Sequence, residues 1–109
     1  MKRSIKSNQR EVTVIAFTLD MTASNAIAGL DANKVTLNTD HGTGDVSVDL
    51  AEPLQNIVIS AMCETQEVIA TAAATDADTI RIKTDDDAGA ATDTKVHVVV
   101  FGSRVTDQY

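Results

Sequence analysis

Residues 79–102, TIRIKTDDDAGAATDTKVHVVVFG, constrain the fold more than any other stretch of the chain. Ile80 and Ile82 alternate with Arg81 and Lys83, the period-two pattern of a strand with one buried face. Residues 95–101 (KVHVVVF) form the most β-prone and apolar run, suited to a central strand. Between them, Asp85, Asp86 and Asp87 and then residues 88–93 (AGAATD) are rich in turn formers and cannot pack a core. The pattern predicts a long-looped β-hairpin, with the remaining strands assembled around its second arm.

The rest of the chain repeats the theme of short strands and polar turns. Residues 11–19 (EVTVIAFTL) read as a strand whose Val12 and Val14 face one way while Ile15, Phe17 and Leu19 face the other. Either both faces are covered, or a bulge switches the register midway. Residues 20–33 support one helical turn, N-capped at Ser24 or Asn25 and stopped at Gly29, or a loop. Residues 34–39 and 46–50, joined by DHGTGD, give the cleanest hairpin signal. Residues 55–64 make a further strand, and so do residues 67–74, where Val, Ile and Thr outweigh the helical preference of Ala. About seven strands with short polar loops and no long helix predict an all-β, single-domain fold, either a β-sandwich or a jelly-roll-like barrel. The expected organisation is a basic N-terminal arm at residues 1–10 and a β-sandwich domain at residues 11–109.

A chain of 109 residues supports one modest core. Much of its apolar content is Ala, and at roughly 25 cal/mol per Å² of apolar burial an Ala-rich core leaves a thin margin over chain entropy. A partner surface would supply what is missing, so a homo-oligomer, dimer or trimer, is expected. Charge is divided unevenly. Lys2, Arg3, Lys6 and Arg10 give the first ten residues +4, and the remaining 99 carry −11 out of a net −7. An acidic body repels nucleic acid and anionic membrane, so neither is an expected partner of the folded domain. The basic arm reads either as a solvated terminus or as an arm that docks on an acidic neighbouring subunit. No apolar stretch is long enough for a transmembrane helix and residues 1–20 lack a signal-peptide layout, so a cytosolic origin is expected.

Motifs of chemistry are sparse. The consecutive Asp85, Asp86 and Asp87 lack the alternate spacing of an EF-hand loop. His41, His97 and the single Cys63 do not make a zinc spacing; His97 reads as a strand-face residue with a satisfied hydrogen bond and Cys63 as a small buried hydrophobe. Gly42-Thr43-Gly44 is followed by neither Lys nor a helix, so it is no phosphate loop. With Phe17, Phe101 and Tyr109 the only aromatic residues, platforms for sugars or single-stranded nucleic acid are missing too. The expectation is a non-enzymatic protein with no cofactor, no metal and no catalytic residues.

Residues 42–50 (GTGDVSVDL) followed by Pro53, together with residues 78–103 (DTIRIKTDDDAGAATDTKVHVVVFGS), resemble small β-rich virion structural proteins of tailed bacteriophages. The resemblance covers residues 34–103 and rests on turn and strand chemistry. It implies a protein made in the host cytoplasm and placed on the capsid surface, where it binds the major capsid protein lattice as a head decoration or cement protein. A tail, neck or head-fibre component, or a host-surface-binding β-module, is the alternative. Proteins of this kind work through surfaces, so no site residues transfer. The partner-binding residues expected from charge alone are Lys2, Arg3, Lys6 and Arg10, seated in an acidic groove of a capsid or neighbouring subunit.

Overall fold

The computed structural model describes residues 12–104; the basic arm with Lys2, Arg3, Lys6 and Arg10 lies outside them. Eight strands follow in order: β1 (Val12–Asp20), β2 (Ala26–Ala28), β3 (Val35–Gly42), β4 (Asp45–Leu50), β5 (Leu54–Cys63), β6 (Val68–Ala74), β7 (Thr79–Asp86) and β8 (Lys95–Arg104). They form two four-stranded antiparallel sheets, β2-β1-β8-β5 (sheet A) and β3-β4-β7-β6 (sheet B). The sheets pack face to face as a β-sandwich, and each keeps two edges, so the barrel alternative does not apply. The strand order is that of an immunoglobulin-type sandwich, A-B-E-D over C-F-G, with the last position filled by the N-terminal β1 and with β2 added outside it.

The long-looped hairpin expected at residues 79–102 does not form. Its first arm, β7, lies between β4 and β6, and its second arm, β8, lies between β1 and β5 in the opposite sheet. The reason is that each arm has both edges occupied by other strands, so the Asp-rich segment becomes a crossover between sheets. Its carboxylates shape that crossover. Asp86 accepts hydrogen bonds from the amides of Ala88 (2.9 Å) and Ala90 (2.8 Å), and Asp93 accepts one from Gly44 (2.7 Å). β8 is nevertheless the central strand around which sheet A is built.

Alternation decides which face is core. Ile15, Phe17 and Leu19 from β1, Val96, Val98 and Val100 from β8, Val46, Val48 and Leu50 from β4, and Ile80 and Ile82 from β7 all point between the sheets and are buried. No Ala is among the fully buried core residues; Ala61, Ala70 and Ala72 pack at its margin on the outermost strands β5 and β6. The expected Ala-rich core is therefore corrected to a dense branched-aliphatic one. Burial of a Val, Ile or Leu is worth roughly 1.5–3 kcal/mol, several-fold more than Ala. The β1–β8 register is unbroken from Val12 to Asp20, so no bulge switches β1, and the described residues leave Val12 and Val14 on its second face exposed.

The bulges fall elsewhere. One extra residue between Gln55 and Val58 in β5, where Asn56 takes φ 54°, switches parity so that Ile57, Ile59 and Ala61 turn inward. Val58, Ser60 and Met62 consequently turn outward. The segment at 21–33 is two short 3₁₀ turns around β2, a strand the periodicity does not reveal. Ser24 and Asn25 are left-handed turn residues (φ 57° and 60°), and Asp20 is the cap, accepting from the amide of Thr22 (3.0 Å).

Candidate functional site

The two outer faces of the sandwich differ in kind. On sheet B, the extra residues of two β3 bulges reach over β4: Asn38 donates to both oxygens of Asp49 (3.1 and 3.0 Å), and His41 Nε2 lies 2.8 Å from Ser47 Oγ. Thr79 also donates to Asp49 (2.8 Å), and Arg81 grips Asp45 with two parallel hydrogen bonds of 2.8 and 2.7 Å. This face is largely polar, with Asp45, Asp49 and Arg81 partnered within the chain and Ile69 of β6 an exposed apolar exception.

These bonds contribute to the acid sensitivity of the domain. Arg81 hydrogen bonding, with its positive charge, holds the Asp45 carboxyl below its ordinary value near 3.8, and hydrogen bonds from Asn38 and Thr79 do the same for Asp49. A carboxyl depressed by folding contributes stability above its unfolded pKa, and that contribution is lost as pH falls toward the folded one. Arg81→Gln is expected to melt below wild type at about pH 6, with the gap closing as pH falls below the ordinary carboxyl value of 3.8. Melting curves across that range check this; a gap independent of pH would contradict it.

Sheet A presents the opposite character. Reading across β1, β8 and β5 in register, its outer face consists of rows: Val14–Phe101–Val58, then Ala16–Val99–Ser60, then Thr18–His97–Met62. Val12 (69% exposed) precedes the first row, and Val58 and Met62 are 62% and 70% exposed. Beside the middle rows, Leu30 (87% exposed) borders an open dent of about 200 Å³ shared with Ala16, Thr18, His97 and Val99. Apolar side chains dominate this face, with Ser60, Thr18 and His97 interspersed among them; large exposed apolar patches are a feature of interaction surfaces in general.

The polar rim lies at one end. Asp20, Lys95 and Glu64 form the last row, with Lys95 Nζ 3.9 Å from Glu64. His97 lies between Thr18 (Nδ1 to Oγ1, 3.0 Å) and Glu64 (Nε2 to Oε2, 3.3 Å), a satisfied strand-face histidine. This hydroxyl–imidazole–carboxylate chain has the connectivity of a hydrolytic triad. Its setting differs: His97 and Glu64 are half exposed, and nearby amides are committed to the β1–β8 ladder or, for Ala16, to Asp31 (2.8 Å). The network is a clasp that ties β1, β8 and the end of β5 together.

Cys63 points inward at the core margin, and burial pushes its thiol pKa up, which opposes thiolate chemistry. Among the described residues, no group of three or more His, Cys, Asp or Glu could hold a metal ion.

The sequence signal for the open face existed in KVHVVVF and in the opposed Val12/Val14 and Ile15/Phe17 pairs. A run apolar on both faces suggests burial on both, and here one face is uncovered by the described chain. No protein-family model, no curated protein and no solved structure matches this chain.

Proposed function

We propose that this chain is a non-enzymatic virion structural protein of a tailed phage, a capsid decoration or cement protein that works through surfaces. The observation that carries the reading is the apolar face of sheet A left exposed by the described residues, on a sandwich whose other face is largely polar with Asp45, Asp49 and Arg81 paired within the chain. The resemblance of residues 34–103 to small phage virion proteins supplies the setting. The arm supplies the anchor: Lys2, Arg3, Lys6 and Arg10 engage an acidic groove of the major capsid protein, while the body stays acidic. Val12 and Arg104 lie side by side at one end of sheet A, since Val12 pairs with Ser103.

Deleting residues 1–10 is expected to abolish particle occupancy while leaving the melting midpoint of the free domain within a few degrees of wild type. Occupancy is measured by quantifying the protein on purified particles reconstituted with full-length or truncated chain. Undiminished occupancy by the truncated chain would overturn the anchoring role. Density at the tail or vertex in images of those particles would replace decoration with a tail, neck or fibre role.

A further inference from the structure

We infer that the open face of sheet A is a self-association surface, occupied by the same face of a second copy about a two-fold axis that crosses the strands. The inference rests on reading that face as an interface and not on the virion assignment.

Three properties of the face favour a second copy. The first is charge. Most of the body's acids lie off this face, among them Asp40, Asp45 and Asp49 on sheet B and Glu67, Asp76, Asp78, Asp85, Asp86, Asp87 and Asp93 at the turns and the end of β7. Asp31, bonded to Ala16, and Glu52, paired with Arg104, sit at the margins of sheet A. Sheet A's outer face holds Asp20 and Glu64 at one end, beside Lys95. Two copies of an acidic protein therefore meet with least repulsion through this face. The chain's own first eleven residues, MKRSIKSNQRE, contain only Met1 and Ile5 as apolar side chains and are poorly composed to cover it.

The second is relief. The Ala16–Val99–Ser60 row is low, and the bulkier Val14–Phe101–Val58 and Thr18–His97–Met62 rows flank it. A two-fold axis running across the strands along the low row keeps each strand opposite its own copy and exchanges the flanking rows. Phe101 then meets His97 of the second copy, Val58 meets Met62, and Val14 enters the dent beside Leu30 and Thr18. The same operation sets Asp20, Lys95 and Glu64 opposite Val12, Ser103 and Gln55, which are neutral. An axis along the strands would instead stack Lys95 on Lys95 and Asp20 on Glu64. Like-charge juxtaposition disfavours that alternative.

The third is size. Three long strands about 4.8 Å apart, each about 30 Å long, give a footprint of roughly 450 Å² per copy, and β2 with Leu30 brings it to roughly 500 Å². The two sides together reach about 1,000 Å², the lower bound for a specific interface. The dimer is accordingly reversible and concentration-dependent.

Sedimentation equilibrium of the full chain tests this. The expected species at high concentration is about 23 kDa, twice the 11.5 kDa of one chain. The double variant Val58→Lys, Met62→Lys is expected to raise the dissociation constant on the order of 30-fold or more, because each Lys faces another across the axis. Both positions are well exposed, so the melting midpoint of the monomer should hold. Ile69→Lys, an exposed apolar position on β6 of sheet B (62%), is expected to leave the dimer intact. A monomer at every concentration would overturn the inference, and so would a dimer that survives the double variant or dissociates with Ile69→Lys. A wild-type monomer that dimerises only after deletion of residues 1–10 would also overturn it, and would name the arm as the occupant. None of these results depends on whether the protein decorates a particle.

Discussion

Gly44→Ala is expected to destabilise the domain by about 2–4 kcal/mol, lowering its melting midpoint on the order of 10–20 °C. Gly44 sits in the tight β3–β4 turn at φ +63°, a conformation that by itself costs a side chain about 1 kcal/mol. The larger part of the effect comes from its surroundings. A Cβ at this position would lie 2.5 Å from the carbonyl oxygen of Thr84 and 2.9 Å from the amide nitrogen of Thr92, both backbone atoms. Those atoms cannot step aside, because the Thr84 amide donates to the Gly44 carbonyl (2.8 Å) and the Thr92 amide to the Thr84 carbonyl (3.0 Å). The Gly44 amide donates in turn to Asp93, so one contact point joins the turn, β7 and the crossover. Gly89 is the internal control. Its φ is +85°, yet nothing lies within 4 Å of a Cβ there, so Gly89→Ala is expected to lose only about 1 kcal/mol. Equal losses for the two variants, read from chemical denaturation, would contradict the account of the crossover.

Val100→Lys is expected to abolish folding, whereas Val58→Lys, reached through the next row of the same sheet, is expected to fold normally. Val100 is fully buried on the inner face of β8, opposite Ile59 of β5. Placing an unpaired ammonium there costs several kcal/mol on top of the lost apolar burial, which is comparable to the whole stability of a domain of this size, about 5–15 kcal/mol. Val58 faces out beside Phe101 and keeps a Lys in water. Circular dichroism and one-dimensional NMR of the two proteins distinguish the outcomes. A folded Val100→Lys would contradict the inward face of β8, and an unfolded Val58→Lys would mean that the parity set by the Asn56 bulge in β5 is wrong.

The sequence made the strands legible because their chemistry is local. Ile80/Ile82 against Arg81/Lys83, or Val46/Val48/Leu50 against Ser47/Asp49, reports a buried face without reference to anything distant. Strand pairing was not legible in the same way. Nothing in residues 84–94 distinguishes a hairpin loop from a crossover, since both are turn-rich and acidic; what decides is that β4 and β6 occupy both edges of β7. β2 escaped notice because three residues, AIA, are too short to display a period. The Ala content pointed to a weak core, but composition does not say where a residue lies, and alternation places the Ala residues at margins and surfaces.

For the site, Val12 and Val14 opposite Ile15 and Phe17 carried the signal of a second apolar face, and only the tertiary arrangement reveals that the described residues leave this face exposed. The Thr18–His97–Glu64 contact joins residues separated by as many as 79 positions, beyond any spacing motif. The expected anchors Lys2, Arg3, Lys6 and Arg10 lie outside the described residues, so charge alone continues to support them.

The most direct test of an assembly role through sheet A is a reconstruction of particles bearing the full chain, at a resolution that orients the sandwich. The account predicts Val14, Phe101, Val58 and Met62 covered by a second copy, with Asp45, Asp49 and Arg81 of sheet B facing solvent. A bound protein whose sheet A face stands open to solvent while sheet B makes the contacts would contradict it.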